Sequence, residues 1–433
     1  MKFFIFFAIS VLTILSLNAE ILTLDEAVKK AFMQNPQVMA STYNIEASKE
    51  KEKRSYSGYM PSLSFTTSYA RQTGNAVARP GVPVNSDPDN DSFNNYSLGI
   101  TLNQTIYDFG RTTGATDIAK AQVKSDVQDA NVLKLSVWEL VCLRYSIVLT
   151  NQELVTVAER NVEASKKHLE QAAALFESGA KPKLDKLRLE VELKNAEAAL
   201  IFAASSLKTS KNDLLAAMGI KDFYDFTAQK FDISEPVTLS QDISSIAAQA
   251  VDTRPETAAV KEKIKLSEKT LKTVKSDFFP VLGLTATFSD AGTDITDLAW
   301  NWGVGIGFTW PIFTGLTTYR SMKEAENKLL ALKLSLTAIE IQVRSELEQA
   351  AENIKAADAR IEAYKAALIS SREAADAAES RYKAGSGNII ELLDAQTGLA
   401  NSEANLVKAG LERDIAYIRW QKALGQIPEK HIK

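Results

Sequence analysis

The chain has 433 residues, with 50 Lys and Arg against 54 Asp and Glu and a formal charge of −4. That mildly acidic balance gives no support for nucleic-acid binding, and two histidines with a single cysteine leave no intrachain disulfide and no Cys/His metal or nucleophile constellation. Beyond the N-terminus no segment is apolar enough for a transmembrane helix, so a membrane role has to come from strands or from surface binding.

Met1–Ala19 reads as a signal peptide: Lys2 is its only charge, Phe3–Leu17 is an apolar run, and Leu17-Asn18-Ala19 precedes Glu20. Leu17 is larger than the usual residue before a cleavage site, and the competing reading is an uncleaved anchor, for which the run is short against a span of ~20 residues. Cleavage removes the charge of Lys2, and the lack of a cysteine near the site argues against a lipoprotein.

The mature chain divides into two repeats, 20–230 and 231–433. Each begins with short helices broken at Asn35-Pro36 or Arg254-Pro255, then a β-hairpin over 62–107 or 281–310 that follows Pro61 or Pro280. Long helices over 115–178 and 183–218 complete the first repeat, and 316–384 and 389–424 the second. The glycine pairs 110/315, 179/385 and 219/425 stand about 206 residues apart, too long for a solenoid unit, so the chain is a duplicated hairpin-plus-helices module.

Ala115–Ser178 and Leu316–Ala384 contain no proline and would run ~96 and ~103 Å as continuous helices. Such lengths point to coiled coils or helical repeats. Leu184, Leu187 and Val191, and less cleanly Ile389, Leu393 and Gln396, are expected to form seams with the preceding helix. Gly179 and Gly385 supply tight helix-to-helix turns, expected at the remote tip of a rod. Cys142 reads as a small buried hydrophobe and His168 as a helix-surface residue. Ile220–Leu239, carrying Phe223, Tyr224, Phe226 and Phe231, connects the repeats and is expected to wrap the outside.

Four segments alternate with period two. The clearest sets Trp300, Trp302, Val304, Ile306, Phe308 and Trp310 against Asn301, Gly303, Gly305, Gly307 and Thr309. One reading is an antiparallel sheet with one buried face. The other is a transmembrane barrel with apolar residues towards lipid, because Trp300 and Trp310 lie ~33 Å apart along a strand, or ~25 Å of height at the usual tilt, matching a lipid-facing aromatic girdle. Four strands do not close a barrel with a lumen, which takes roughly eight, and lipid satisfies no open edge, so the barrel reading requires several chains. Arg71–Asn95 then becomes a long external loop and Asp290–Ala299 a shorter one.

Leu22-Thr23-Leu24-Asp25-Glu26-Ala27, Asn35-Pro36, Tyr59-Met60-Pro61 and Leu102–Arg111, followed by Phe278-Phe279-Pro280 and Trp310–Gly315, resemble the TolC family of outer-membrane efflux and secretion ducts across essentially the whole mature sequence. The fold class implied is mainly α with β: a long antiparallel α-helical barrel or coiled coil, plus four strands per chain given to a trimeric transmembrane β-barrel. The resemblance implies a homotrimer in the outer membrane of a Gram-negative bacterium, in contact with lipid and extending into the periplasm. It implies a passive exit duct of a tripartite efflux or type I secretion system, meeting a periplasmic adaptor and an inner-membrane pump through the turns at Gly179 and Gly385, with no enzymatic activity, cofactor or metal.

By the same resemblance Glu391 and Asp394 correspond to acids that ring the closed entrance. Spaced by three they share a helix face, and three copies would favour cations. The competing reading is local, since Asn388 and Glu391 also form a capping-box pattern. Asp185 and Tyr382 correspond to a contact that restrains the tip, Arg188 is placed to pair with the ring, and a further restraining arginine of the family falls at Gly387 and is absent. The alternative function is a soluble periplasmic coiled-coil scaffold or adaptor.

Overall fold

The protein is described by a computed structural model covering residues 20–73, 92–231 and 243–428. The signal-peptide segment, most of the Arg71–Asn95 loop, Pro236 and His431 lie outside the described residues. Eight α-helices are seen among these: α1 Leu24–Gln34, α2 Pro36–Ser55, α3 Arg111–Glu177, α4 Lys183–Met218, α5 Ile243–Thr253, α6 Pro255–Lys275, α7 Thr317–Lys383 and α8 Ile389–Ala423. The strands are β1 Glu20–Leu22, β2 Ser62–Thr73, β3 Ser92–Tyr107, β4 Phe226–Ala228, β5 Val281–Asp294 and β6 Asp297–Thr309. The fold is mainly helical with two small sheets, and no described helix is long and apolar enough to cross a membrane.

Contacts group the chain into two compact units, each drawn from both halves of the sequence. Among the described residues the first comprises 20–39, 133–231, 243–254 and 342–428. Its core joins Leu22, Val28, Trp138, Val141, Cys142, Tyr145, Leu214, Met218, Phe226 and Ile418. Cys142 is buried there, as its apolar neighbours suggest. Phe226, expected on the outside, is instead a core residue: β4 pairs in parallel with β1, and Tyr224 and Phe231 also pack against this core. A short strand pair satisfies its backbone while delivering an aromatic inward, which explains the aromatic density of the connector.

The helix breaks and helix-end glycines of the two repeats meet. Asn35 cannot continue α1 before Pro36, and its Nδ2 donates to the Ala217 carbonyl at 2.9 Å. Gly219, at φ +82°, closes α4 against the same place: a Cβ there would stand 2.6 Å from Asn35 Cα. In the second repeat Gly425, at φ +73°, would place a Cβ 2.8 Å from Arg254 Cα. Arg254, buried, meets Glu346 at 2.6 Å. The repeated glycines therefore answer a repeated close approach of backbones.

The second unit, described over residues 40–73, 92–132 and 255–341, carries a four-stranded antiparallel sheet in the order β2-β3-β5-β6. Strands of different repeats pair at its centre, β3 with β5. Both hairpins extend further into their loops than the alternation suggested, leaving only Ile295 and Thr296 between β5 and β6. Where β3 leads into α3, the Asp108 carboxylate accepts the amides of Gly110 at 3.1 Å and Thr112 at 2.7 Å, capping the helix. Arg111 then reaches Asp277 at 3.0 Å and the Phe279 carbonyl at 2.9 Å, so this motif ties the exits of one repeat to the entrance of the other.

Candidate functional site

Two places carry the residues singled out in the sequence. Within the first unit, α3, α4, α7 and α8 converge on a small core of Ala172, Leu189, Tyr382, Ile389 and Leu392 beside the two helix turns. The α3–α4 turn pivots on Gly179, at φ +76°, whose amide donates to the Phe176 carbonyl at 2.9 Å. Pro182 then caps α4 with extended backbone. The α7–α8 turn pivots on Gly385, at φ +79°, and the amides of Ser386 and Gly387 both return to the Arg381 carbonyl, at 3.1 and 2.9 Å.

Asp185 and Tyr382 come together. Both are buried, and the Tyr382 hydroxyl donates to Asp185 Oδ2 across a long 3.4 Å. Burial first, then the neighbouring carboxylate charge, pushes the phenol up to about 12, so the hydroxyl stays protonated and a donor. The Lys181 ammonium donates to the Gly387 carbonyl at 3.1 Å and stands 4.8 Å over the Tyr382 ring centroid.

Glu391 and Asp394 are placed differently from one another. Asn388 caps α8, its side chain accepting the Ile390 amide at 3.2 Å. The Glu391 carboxylate does not return to that cap. It accepts from Arg381 Nη1 at 2.7 Å, across the turn. Asp394 is exposed, and Arg188 is half-buried and makes no ion pair with either acid within the chain.

Two expectations are corrected here. Leu184, Leu187 and Val191 are exposed, and α4 turns Asp185, Leu189 and Ala196 inward. His168 is buried, 6 % exposed, because Ser165, His168 and Ala172 share one inward helix face at spacings of three and four. Its Nδ1 has no hydrogen-bond partner. Burial holds its pKa below the usual imidazole range, Glu379 opposing and Lys383 reinforcing.

The second place is one face of the sheet. The register stacks Phe65, Ile100, Phe288 and Trp302 in one row, and Leu63, Leu102, Ala286 and Val304 in the row two residues along. Aromatics bound these rows. At one end lie Trp300 and the Tyr69–Tyr96 pair, with ring centroids 5.1 Å apart. At the other, Phe109 stacks on Phe279 at 5.3 Å and Trp310 Nε1 donates to the Phe278 carbonyl at 3.0 Å. Trp300, Trp302 and Trp310 are all exposed. The opposite face is small and polar, with Ser68 and Ser97 hydroxyls 2.7 Å apart and Thr285 bonded to Asn103 at 3.0 Å. Asp290 interrupts the apolar face in the Trp300 row, a residue the alternation did not single out. Among the described residues no group of three His, Cys, Asp or Glu is placed to hold a metal.

The chain matches the family described as outer membrane efflux protein over residues 27–220 and 246–426. It is 23 % identical over 428 residues to the outer membrane efflux protein BepC of Brucella suis, covering 95 % of this chain and 90 % of that one. It is 24 % identical to the outer membrane protein TolC of Escherichia coli, over 94 % of this chain and 83 % of that one. In fold it is similar to the Campylobacter jejuni CmeC outer membrane channel, with a TM-score of 0.79 at 18 % identity, over 93 % of this chain and 85 % of that one. With the family matched across both repeats, the chain belongs to the outer membrane efflux proteins.

Proposed function

We propose that three copies of this chain form a passive exit duct in the outer membrane of a Gram-negative bacterium, extending into the periplasm and serving a tripartite efflux or type I secretion system. The observation that carries this reading is the sheet. Its exposed apolar face lies between two aromatic belts, its other face is small and polar, and its outer strands β2 and β6 each present an unpaired edge. Lipid tolerates such a sheet only when the edges are closed by other strands, and three sheets of four supply about twelve, enough for a barrel with an open lumen. A soluble scaffold would leave Trp300, Trp302, Ile306 and Phe308 in water, at a cost of ~1.5–3 kcal/mol for each large side chain.

In this reading the turns at Gly179 and Gly385 form the periplasmic entrance, where a periplasmic adaptor docks and through it an inner-membrane pump. Asp185 and Tyr382 restrain that entrance, and Glu391 and Asp394 line it. Because Glu391 is paired with Arg381, the fixed negative charge of the opening rests chiefly on Asp394. The chain carries substrate passage and no bond-making chemistry.

Purified protein inserted into planar bilayers tests the proposal. A trimer that forms discrete, weakly cation-preferring channels supports it. A protein that stays soluble and monodisperse without detergent and never inserts overturns it in favour of the periplasmic scaffold.

A further inference from the structure

Lys181 and Gly387 hold equivalent places in the two repeats, each two residues beyond its turn glycine. They also touch, the ammonium of one on the carbonyl of the other at 3.1 Å. We infer that Lys181 is the clasp that joins the first helix turn to the second, a positioning residue that holds the entrance closed; this rests on the duct reading above.

Both of its partners are held in place by contacts of their own. Gly387 is held by its amide bond to the Arg381 carbonyl at 2.9 Å. It has to be glycine, since a Cβ would stand 2.7 Å from the Tyr382 amide nitrogen and 2.9 Å from the Arg381 carbonyl carbon. That close approach aims the Gly387 carbonyl at the other turn. Tyr382 is 1 % exposed, and its hydroxyl is engaged by Asp185, so the ring face is fixed as well. The ammonium 4.8 Å above that face gains a cation–π contact in addition to the hydrogen bond.

The lysine backbone is anchored by its own amide, which donates to the Leu175 carbonyl at 3.2 Å, and by Pro182, whose ring fixes the next φ. Two preorganised groups therefore meet one flexible stem, so the ordering cost of the grip falls on the lysine side chain alone. The contact is specific to this pair of turns. With glycine at 387, the second repeat offers a carbonyl where the first offers a cation, so the bond runs one way only.

The test compares the wild-type trimer with Lys181→Met, which keeps the stem and removes the charge, and Lys181→Arg, which keeps the charge. In planar bilayers Lys181→Met is expected to raise open probability at least tenfold, the ratio that follows from losing ~1.4 kcal/mol at a single one of the three grips. Lys181→Arg is expected to return it to the wild-type level, and all three proteins are expected to remain folded trimers by size and circular dichroism. Spin labels at Ser178→Cys and Ser386→Cys, on a Cys142→Ala background, read the separation of the turns directly, and Lys181→Met is expected to lengthen and broaden it. Channels whose open probability and label distance are unchanged by Lys181→Met overturn the clasp and leave the duct standing. Absence of conductance from every protein, wild type included, removes the duct and the clasp with it.

Discussion

Arg381 Nη1 lies 2.7 Å from Glu391 Oε1, so one of the two acids proposed to line the entrance is already paired with a cation of its own chain. The two residues stand ten apart on either side of the α7–α8 turn. Both are substantially exposed, and the pair itself is worth no more than ~1 kcal/mol. Its consequence is electrostatic rather than energetic. In the proposed duct each chain would bring one compensated and one uncompensated acid to the opening, instead of two equivalent ones.

Asp394→Asn is therefore expected to reduce cation preference more than Glu391→Gln, and Arg381→Gln to increase it by freeing the Glu391 charge. Reversal potentials across a salt gradient measure all three. Equal effects of the two acid substitutions would show that the pair parts in the assembled entrance.

Tyr382 separates packing from bonding. Tyr382→Phe removes a long hydrogen bond to a buried carboxylate and is expected to cost ~1 kcal/mol while loosening the closed entrance. Tyr382→Ala also empties a ring site within the Ala172, Leu189, Ile389 and Leu392 core, and ~3–5 kcal/mol follows. Thermal unfolding of the trimer distinguishes the two, and conductance of the phenylalanine variant reports the restraint alone.

His168 gives the helices a dependence on pH. Its folded pKa is lowered, so the folded protein keeps it neutral where the unfolded chain, near 6.5, takes up a proton. Stability from this residue is present in full above the unfolded pKa and is lost as pH falls from there towards the folded value. Acidification from pH 7.5 to 5.5 is expected to lower the melting temperature, and His168→Gln to flatten that slope without abolishing folding. An unchanged slope in the variant would assign the acid sensitivity to other groups.

The glycines of the two repeats are expected to differ in what they tolerate. Gly219→Ala combines a left-handed φ with a Cβ 2.6 Å from Asn35 Cα, and Gly425→Ala meets Arg254 in the same way. Each is expected to cost more than ~2 kcal/mol. Gly179→Ala and Gly385→Ala share the left-handed φ but have nothing within 4 Å, so ~1 kcal/mol is expected there. Equilibrium unfolding of the four variants gives the comparison.

What the sequence could reveal follows from how each feature is written in it. The strand faces and turn glycines were legible because period-two alternation and left-handed backbone leave marks in consecutive residues, as at Trp300–Trp310 and Gly385. The inward face of α4 was not, since the apolar Leu184, Leu187 and Val191 point outward while Asp185 and Ala196 point in beside Leu189. Hydrophobicity is a poor guide where helices pack through small and polar side chains. His168 was misplaced for that reason, though Ser165 and Ala172 at helical spacing were the available signal. The Arg381–Glu391 pair and the Lys181–Gly387 bond depend on how two turns are apposed, and no local pattern encodes that. The pairing of β3 with β5, which unites the repeats, was likewise invisible to the hairpin signals on either side.

The sheet offers the sharpest separation of membrane from soluble readings, because lipid imposes a depth dependence that water does not. Val304 stands in the row of Leu63, Leu102 and Ala286, between the two aromatic belts, whereas Trp300 stands at one belt beside Asp290. Val304→Arg is expected to destabilise the assembled protein by ~2–4 kcal/mol and Trp300→Arg by far less for its charge, ~0–1 kcal/mol, since a charge near the interface reaches headgroups and water. Unfolding from lipid vesicles provides the energies. Similar costs at both depths would mean that no hydrocarbon lies against this face, and the barrel would have to be abandoned.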